Sequence, residues 1–166
     1  MARASPLILG ASACAMLLLS SAAKPIPILV WNASPSVPIG LYFVERHRPS
    51  RSEIAALKLP NGAARIADER EYLPASAMLL KPVLAVDGDI VCRYGAHVFV
   101  NGRRRGRALS RDNKLRSLPS WTGCQTLHSG QVFVLSRRKD SFDSRYFGPV
   151  EPFNILGTAS PVFLVK

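Results

Sequence analysis

The chain has 166 residues, 22 of them Lys or Arg against 11 Asp or Glu, for a formal net charge of +11. Nearly half of it (48%) is apolar and 20% is charged, which excludes a wholly disordered chain, whose low hydrophobicity could not offset the entropy of ordering. One long apolar run excludes a polytopic membrane protein, and the remainder is enough for one core and one domain.

From Pro6 to Ala23 the sequence PLILGASACAMLLLSSAA carries no charge, and Arg3 precedes it. As a helix rising ~1.5 Å per residue this run would span about 27 Å, just enough for a bilayer. Arg3 lies on the side expected to stay in the cytoplasm. The same residues fit a cleavable signal, with the small Ser21-Ala22-Ala23 where such a cleavage needs them. Residues 1–30 are therefore read as a membrane anchor or signal segment, and 31–166 as a periplasmic domain.

With 11 Gly and 13 Pro, that domain is expected to be mainly β. Gly40 to Glu45 (GLYFVE) reads as a short strand. Glu53 to Tyr72 is mixed, a helix or a mobile loop, with Ile54 to Leu59 as its apolar part. Met78 to Val86 is an apolar run ending in the turn signal Asp87-Gly88, and Ile90 to Arg93 continues as a strand. His97 to Val100 alternates and ends at the hairpin signal Asn101-Gly102. Gln131 to Ser136 and Pro161 to Val165 read as two more strands.

Arg103 to Ser120 reads as a polar insertion or long loop. It holds Arg103, Arg104, Arg105, Arg107, Arg111, Lys114 and Arg116, opposed only by Asp112. Such a stretch is a solvated loop or a face resting on anionic lipid headgroups. It lacks the interleaved aromatics of a base-stacking surface, and no zinc-finger spacing appears, so no specific nucleic-acid partner is expected.

Cys14 lies in the apolar run, leaving Cys92 and Cys124 in the exported part. An even pair outside the cytoplasm reads as a disulfide rather than a metal site. His47, His97 and His128 show no ligand spacing, so neither metal nor cofactor is expected.

Residues able to do chemistry sit in three places. In Asn32-Ala33-Ser34-Pro35-Ser36-Val37-Pro38-Ile39-Gly40, two prolines bracket Ser36 and restrict the backbone. This can hold a nucleophile, and it can equally be a turn. In Leu79-Leu80-Lys81-Pro82-Val83-Leu84-Ala85-Val86, both faces of a strand are apolar around Lys81. Desolvation would lower its pKa from the usual ~10.4 toward a base working near neutrality. The alternative is a lysine that snorkels to the rim. In Ser141-Phe142-Asp143-Ser144-Arg145-Tyr146-Phe147-Gly148, Asp143 and Arg145 can pair and stiffen a loop that carries Ser141.

Taken in order, these segments resemble the signal peptidase I family of Ser–Lys proteases, and most of all its conjugative-transfer, TraF-like branch. SPSVPIGLY is similar to the nucleophile box, LLKPVLAVDGD to the lysine box and SFDSRYFGPV to the C-terminal box. The resemblance runs from about Asn32 to the C-terminus. Pro38 directly after Val37 follows the TraF-like form. Ser136-Arg137-Arg138-Lys139-Asp140 stands where housekeeping enzymes carry Gly-Asp-Asn-Arg, and the Cys92–Cys124 pair also fits this branch.

The resemblance implies a signal-peptidase-like fold of antiparallel sheets. It implies Ser36 as the nucleophile, Lys81 as the general base and Ser141 as the residue orienting the lysine. The Ser36 N–H and Ser34 hydroxyl become the oxyanion donors, with Asp143 and Arg145 as structural support. The implied substrate is a prepilin or preprotein with small residues before the cut, met at the membrane surface, and Leu41 to Val44 and Met78 to Val86 are expected to wall its pocket. A general signal peptidase with many preprotein substrates and a non-catalytic, membrane-tethered β module of a transfer assembly are the two other readings.

Overall fold

The computed structural model describes residues 29–74 and 76–165. The apolar run, and with it nearly all of the expected anchor over 1–30, lies outside the described residues. Among the described residues no helix is long and apolar enough to cross a membrane.

Among the described residues ten strands follow one another as β1 (Leu29–Asn32), β2 (Gly40–Glu45), β3 (Ile54–Lys58), β4 (Met78–Ala85), β5 (Ile90–Tyr94), β6 (His97–Val100), β7 (Arg103–Arg107), β8 (Gly123–Thr126), β9 (Phe133–Val134) and β10 (Ile155–Leu164). Helix α1 (Asn61–Glu69) lies between β3 and β4, and the one-turn α2 (Ser144–Phe147) between β9 and β10. A six-stranded sheet runs β1-β2-β10-β3-β4-β9 and a four-stranded sheet β7-β6-β5-β8. Every pairing is antiparallel, so the domain is mainly β, as its composition suggests.

Burial explains the strand patterns. GLYFVE alternates: Tyr42 and Val44 enter the core while Phe43 and Glu45 stay exposed, the mark of a half-buried antiparallel strand. In β4, Leu79 and Val83 join one apolar cluster with Leu57, Val134 and Tyr146, while Leu80 joins another with Tyr42 and Val44. Both faces are covered, which is why the run is continuously apolar and why Lys81, between them, is only 5% exposed. Val91, Val98, Leu127, Phe133 and Leu135 form a third cluster that seals the four-stranded sheet against the β4–β9 end of the other.

The structure corrects several sequence expectations. The basic stretch is not loop throughout: its first five residues form β7 along β6. Asn101 and Gly102, both at positive φ (50° and 75°), make a tight turn that fixes this pairing whatever side chains follow. Glu53 to Tyr72 resolves into β3 and α1, with Pro60 at the helix N-cap, where its missing N–H costs nothing. Gln131 to Ser136 shrinks to the two-residue β9, because Leu135 N–H turns to Pro82 O (3.1 Å) and Val132 bridges Val150. The last strand begins at Ile155, and β1 and β8 carry no strand signal beyond a polar or mixed run of four.

Gly40 closes the loop that follows β1. A Cβ there would lie 2.1 Å from Phe163 O of β10, at φ 155°, so glycine alone permits the close approach.

Cys92 and Cys124 face each other across β5 and β8 and are joined by a disulfide spanning 32 residues. Mass spectrometry of the unreduced protein is expected to find the two linked, and reduction to lower stability by about 2–4 kcal/mol. Two free thiols would overturn this.

Candidate active site

Three backbone segments far apart in sequence converge at one end of β4. The loop between β1 and β2 carries Ser36, the strand itself carries Lys81, and the turn before α2 carries Ser141. Lys81 Nζ donates to Ser36 Oγ at 2.7 Å and to Ser141 Oγ at 2.7 Å, and the two hydroxyl oxygens lie 3.3 Å apart.

The Ser36 loop is tied down by a residue whose role the sequence reading did not isolate. Asn32, 7% exposed at the end of β1, donates from Nδ2 to the carbonyls of Ser34 (2.7 Å), Val37 (3.2 Å) and Pro38 (3.0 Å), and accepts the Ser34 N–H at Oδ1 (3.2 Å). The signal available was the Asn-x-Ser spacing, which favours a side-chain-closed turn. Tyr42 OH adds a bond to Pro38 O at 2.8 Å, and Val37 anchors the loop by entering the Tyr42 cluster. Ser36 is thereby held outward between two fixed neighbours.

Burial dominates the electrostatics of Lys81. Desolvation lowers its pKa from 10.5 to about 8; the Asp143 charge opposes this, Arg145 reinforces it and Asp140 opposes it more weakly. Two accepting hydroxyls suit the ammonium. Once that loses a proton, the lone pair can accept the Ser36 O–H instead.

Ser34 lies beside Ser36. Its Oγ is 3.0 Å from Ser36 Oγ and accepts the Ser36 N–H at 3.3 Å. In this structure the Ser36 N–H is directed at Ser34 Oγ, so both groups must turn to a third oxygen before they can act as oxyanion donors.

Behind the three residues stands a buried ion pair. Asp143 is 0% and Arg145 2% exposed. Arg145 Nε donates to Asp143 Oδ1 at 2.7 Å and Nη2 to Oδ2 at 3.0 Å. Further bonds run from Arg145 to Ser136 O (2.7 Å), Arg107 O (3.1 Å) and Lys139 O (3.4 Å). Arg93 donates to the Arg145 carbonyl. Ser136, also missed from sequence, completes the frame: its N–H donates to Asp143 Oδ2 at 3.0 Å, and its Oγ to the carbonyl of Ser36 at 2.9 Å. The clamp thus reaches the backbone of Ser36 itself.

Ser36, Lys81 and Ser141 open into a cleft of about 540 Å³. Met78, Leu79 and Leu80 wall one side, whereas Pro82 to Val86 of the expected run do not line it. Leu41 to Val44 do not line it: β2 spends its inward positions, Tyr42 and Val44, on the core. The opposite wall comes from Tyr72, Leu73, Leu109, Leu118 and Phe142. Leu109 and Leu118 were hidden in a stretch read only for its charge. Among the described residues no group of three or more His, Cys, Asp or Glu could hold a metal ion.

Comparison with known proteins shows the family. The family described as signal peptidase, peptidase S26 matches residues 1–164. A probable conjugal transfer protein TraF of Sinorhizobium fredii is 37% identical over 142 residues, covering 79% of this chain and 74% of its own. The conjugal transfer protein TraF of Agrobacterium fabrum is 32% identical over 143 residues, 80% of each chain. Among solved structures, signal peptidase I of Enterococcus faecalis aligns with a TM-score of 0.40 at 20% identity, over 69% of this chain and 98% of that one.

Proposed function

Because the chain belongs to the signal peptidase S26 family, we propose that it is a membrane-associated serine endopeptidase with a Ser36–Lys81 dyad, processing the pilin subunit of a conjugative transfer system. The observation that carries this reading is a desolvated amine 2.7 Å from an outward-held hydroxyl. Neutral Lys81 takes the proton of Ser36 Oγ as the oxygen attacks the scissile carbonyl. The Ser36 N–H and Ser34 O–H receive the negative oxygen, a contribution worth about 10²–10³ in rate per donor. Lys81, now an ammonium, passes its proton to the departing amine, leaving an acyl-enzyme on Ser36. Water then releases a linear product, or an amine of the substrate's own chain releases a cyclic one. Ser141 keeps Nζ aimed at Ser36 throughout, and Asp143 and Arg145 hold the turn that carries Ser141.

The cleft favours an extended substrate. β4 pairs with β3 along Met78 to Pro82, whereas on its other edge the β9 segment reaches no further than Pro82, whose carbonyl accepts the Leu135 N–H. The edge beside the dyad is open to an added strand, whose backbone it can bind while side chains enter the apolar walls. Small residues before the cut fit between Lys81 and those walls.

The membrane surface is proposed as the second partner. Trp31, Phe43 and Phe163 are exposed, and the register Trp31↔Leu41↔Phe163 sets Trp31 and Phe163 on either side of Leu41, with Phe43 two residues along β2 on the same face. This apolar apron adjoins the end of the chain leading to residues 1–28 and the loop that carries Ser36. Retention of an anchor over 1–30 would hold the domain of 31–166 on the periplasmic face with its cleft at the lipid boundary.

The test is the pH dependence of pilin-precursor cleavage. Only the neutral amine can act as base, so kcat/KM is expected to rise with pH and level off above about 8. At pH 7 about one molecule in ten is competent, against fewer than one in a thousand for an ordinary lysine. The same lowered pKa makes stability rise between pH 8 and the ordinary lysine range, where the unfolded chain binds the extra proton. A rate independent of pH below about 8 opposes the base role. The product mass separates the two outcomes, a cyclic product being lighter than the linear one by one water.

A further inference from the structure

A second groove, of about 400 Å³, lies where the two sheets meet, away from the dyad, with Arg51, Ser52, Asn101, Arg103 and Arg105 as its polar lining over an apolar floor from β4 and β6. Its charge does not cancel. Arg51 is spent on Asp89, donating from Nη2 to Oδ1 (2.7 Å) and Oδ2 (2.6 Å), and from Nη1 to Leu84 O (3.2 Å). Asp89 also accepts the Val86 N–H (2.8 Å) and Asn101 Nδ2 (2.8 Å). Burial alone would raise the Asp89 pKa; Arg51, Val86 N–H and Asn101 outweigh it and keep the carboxylate charged. Asp89 therefore neutralises Arg51 and has nothing left for a second cation. No acid lines the groove, and the side chains of Arg103 and Arg105 form no ion pair or hydrogen bond among the described residues.

The backbone is shaped to leave them so. Phe99 pairs with Arg104 but Val98 with Gly106, which makes Arg105 the extra residue of a β-bulge, a device that re-aims side chains. Gly106 consequently packs on Leu135 directly after Arg105. Arg104 and Arg107 stay out of the groove, and Arg103 and Arg105 line it together. Ser52, held at φ 73°, lines the same space, and its hydroxyl has no partner among the described residues. Two free guanidiniums carried two residues apart on one strand, with a free hydroxyl in the same groove, exceed what one carboxylate can satisfy. They match a tetrahedral oxyanion that offers acceptors in several directions.

We propose that this groove binds a phosphate group, from a phospholipid headgroup or from a soluble phosphate ligand. The site is independent of the peptidase reading, since none of its residues lines the Ser36 cleft.

The experiment compares the full chain, in detergent, with R103Q/R105Q and with R104Q, which changes the charge of the same strand outside the groove. Inorganic phosphate, titrated at constant ionic strength and followed by NMR, is expected to shift Ser52, Asn101, Arg103 and Arg105 saturably. Affinity should fall at least tenfold in R103Q/R105Q and stay within twofold in R104Q. A parallel arm measures binding of the same proteins to phosphatidylglycerol vesicles. Selective loss there in R103Q/R105Q assigns the site to a headgroup; selective loss with inorganic phosphate alone assigns it to a soluble ligand. No saturable shift, or equal losses in all variants, overturns the proposal. Pilin cleavage is read alongside and should be unchanged in R103Q/R105Q, so failure here and failure of the peptidase reading remain separate results.

Discussion

Replacing Ser36 with Ala is expected to abolish processing of the pilin precursor, and replacing Lys81 with Met to do the same, each by a factor on the order of 10⁴–10⁶. On the proposed dyad the two groups act as a unit, so the double variant should be no worse than either single one, since a base without its hydroxyl does nothing. Lys81→Arg is the sharper control. Its guanidinium can still donate to Ser36 and Ser141, but it does not deprotonate in a protein, so geometry without basicity should leave the enzyme inactive.

Stability should move the other way. Burial holds the Lys81 pKa near 8, so at neutral pH the fold carries the cost of a desolvated ammonium, and Lys81→Met removes that cost with little change in volume. The variant should melt at or above the parent temperature while cleaving nothing. Normal cleavage by Ser36→Ala or by Lys81→Arg, measured as mature pilin per unit time, would end the Ser–Lys reading.

Much of this site was legible because its chemistry is written in short local runs. Ser36 stands between two prolines, Lys81 interrupts an apolar strand, and Ser141, Asp143 and Arg145 fall within one turn. Each run was ambiguous alone, and their order along the chain made them resemble one family. What could not be read depends on contacts between distant segments. Ser136 looks like the end of a strand, yet its hydroxyl meets the Ser36 carbonyl 100 residues away. Asn32 looks like a turn residue, yet it gathers three carbonyls of the nucleophile loop. Leu109 and Leu118 were masked by the arginines around them, although burial sorts side chains one at a time and not by the average of a stretch. β7 shows the same limit: four arginines in five residues carry little strand propensity, and the pairing comes from the Asn101-Gly102 turn and from β6.

The clamp behind the dyad gives the second large effect. Asp143→Asn should destabilise the fold by about 3–5 kcal/mol, because it leaves a buried guanidinium without its counter-charge. Domains of this kind have only about 5–15 kcal/mol in total, so the loss will be visible as a large fall in melting temperature. Arg145→Met should cost a similar amount for the mirrored reason, and it also deprives the carbonyls of Ser136, Arg107 and Lys139 of a donor.

The two variants should nevertheless part company in catalysis. The Asp143 charge favours the Lys81 ammonium and the Arg145 charge disfavours it. In whatever fraction stays folded, Asp143→Asn should move the alkaline rise of kcat/KM to lower pH, and Arg145→Met should move it to higher pH. A purely structural role predicts equal instability with an unmoved pH midpoint in both. Opposite displacements would instead mean that the pair which holds Ser141 in place also sets the pH at which Lys81 can act.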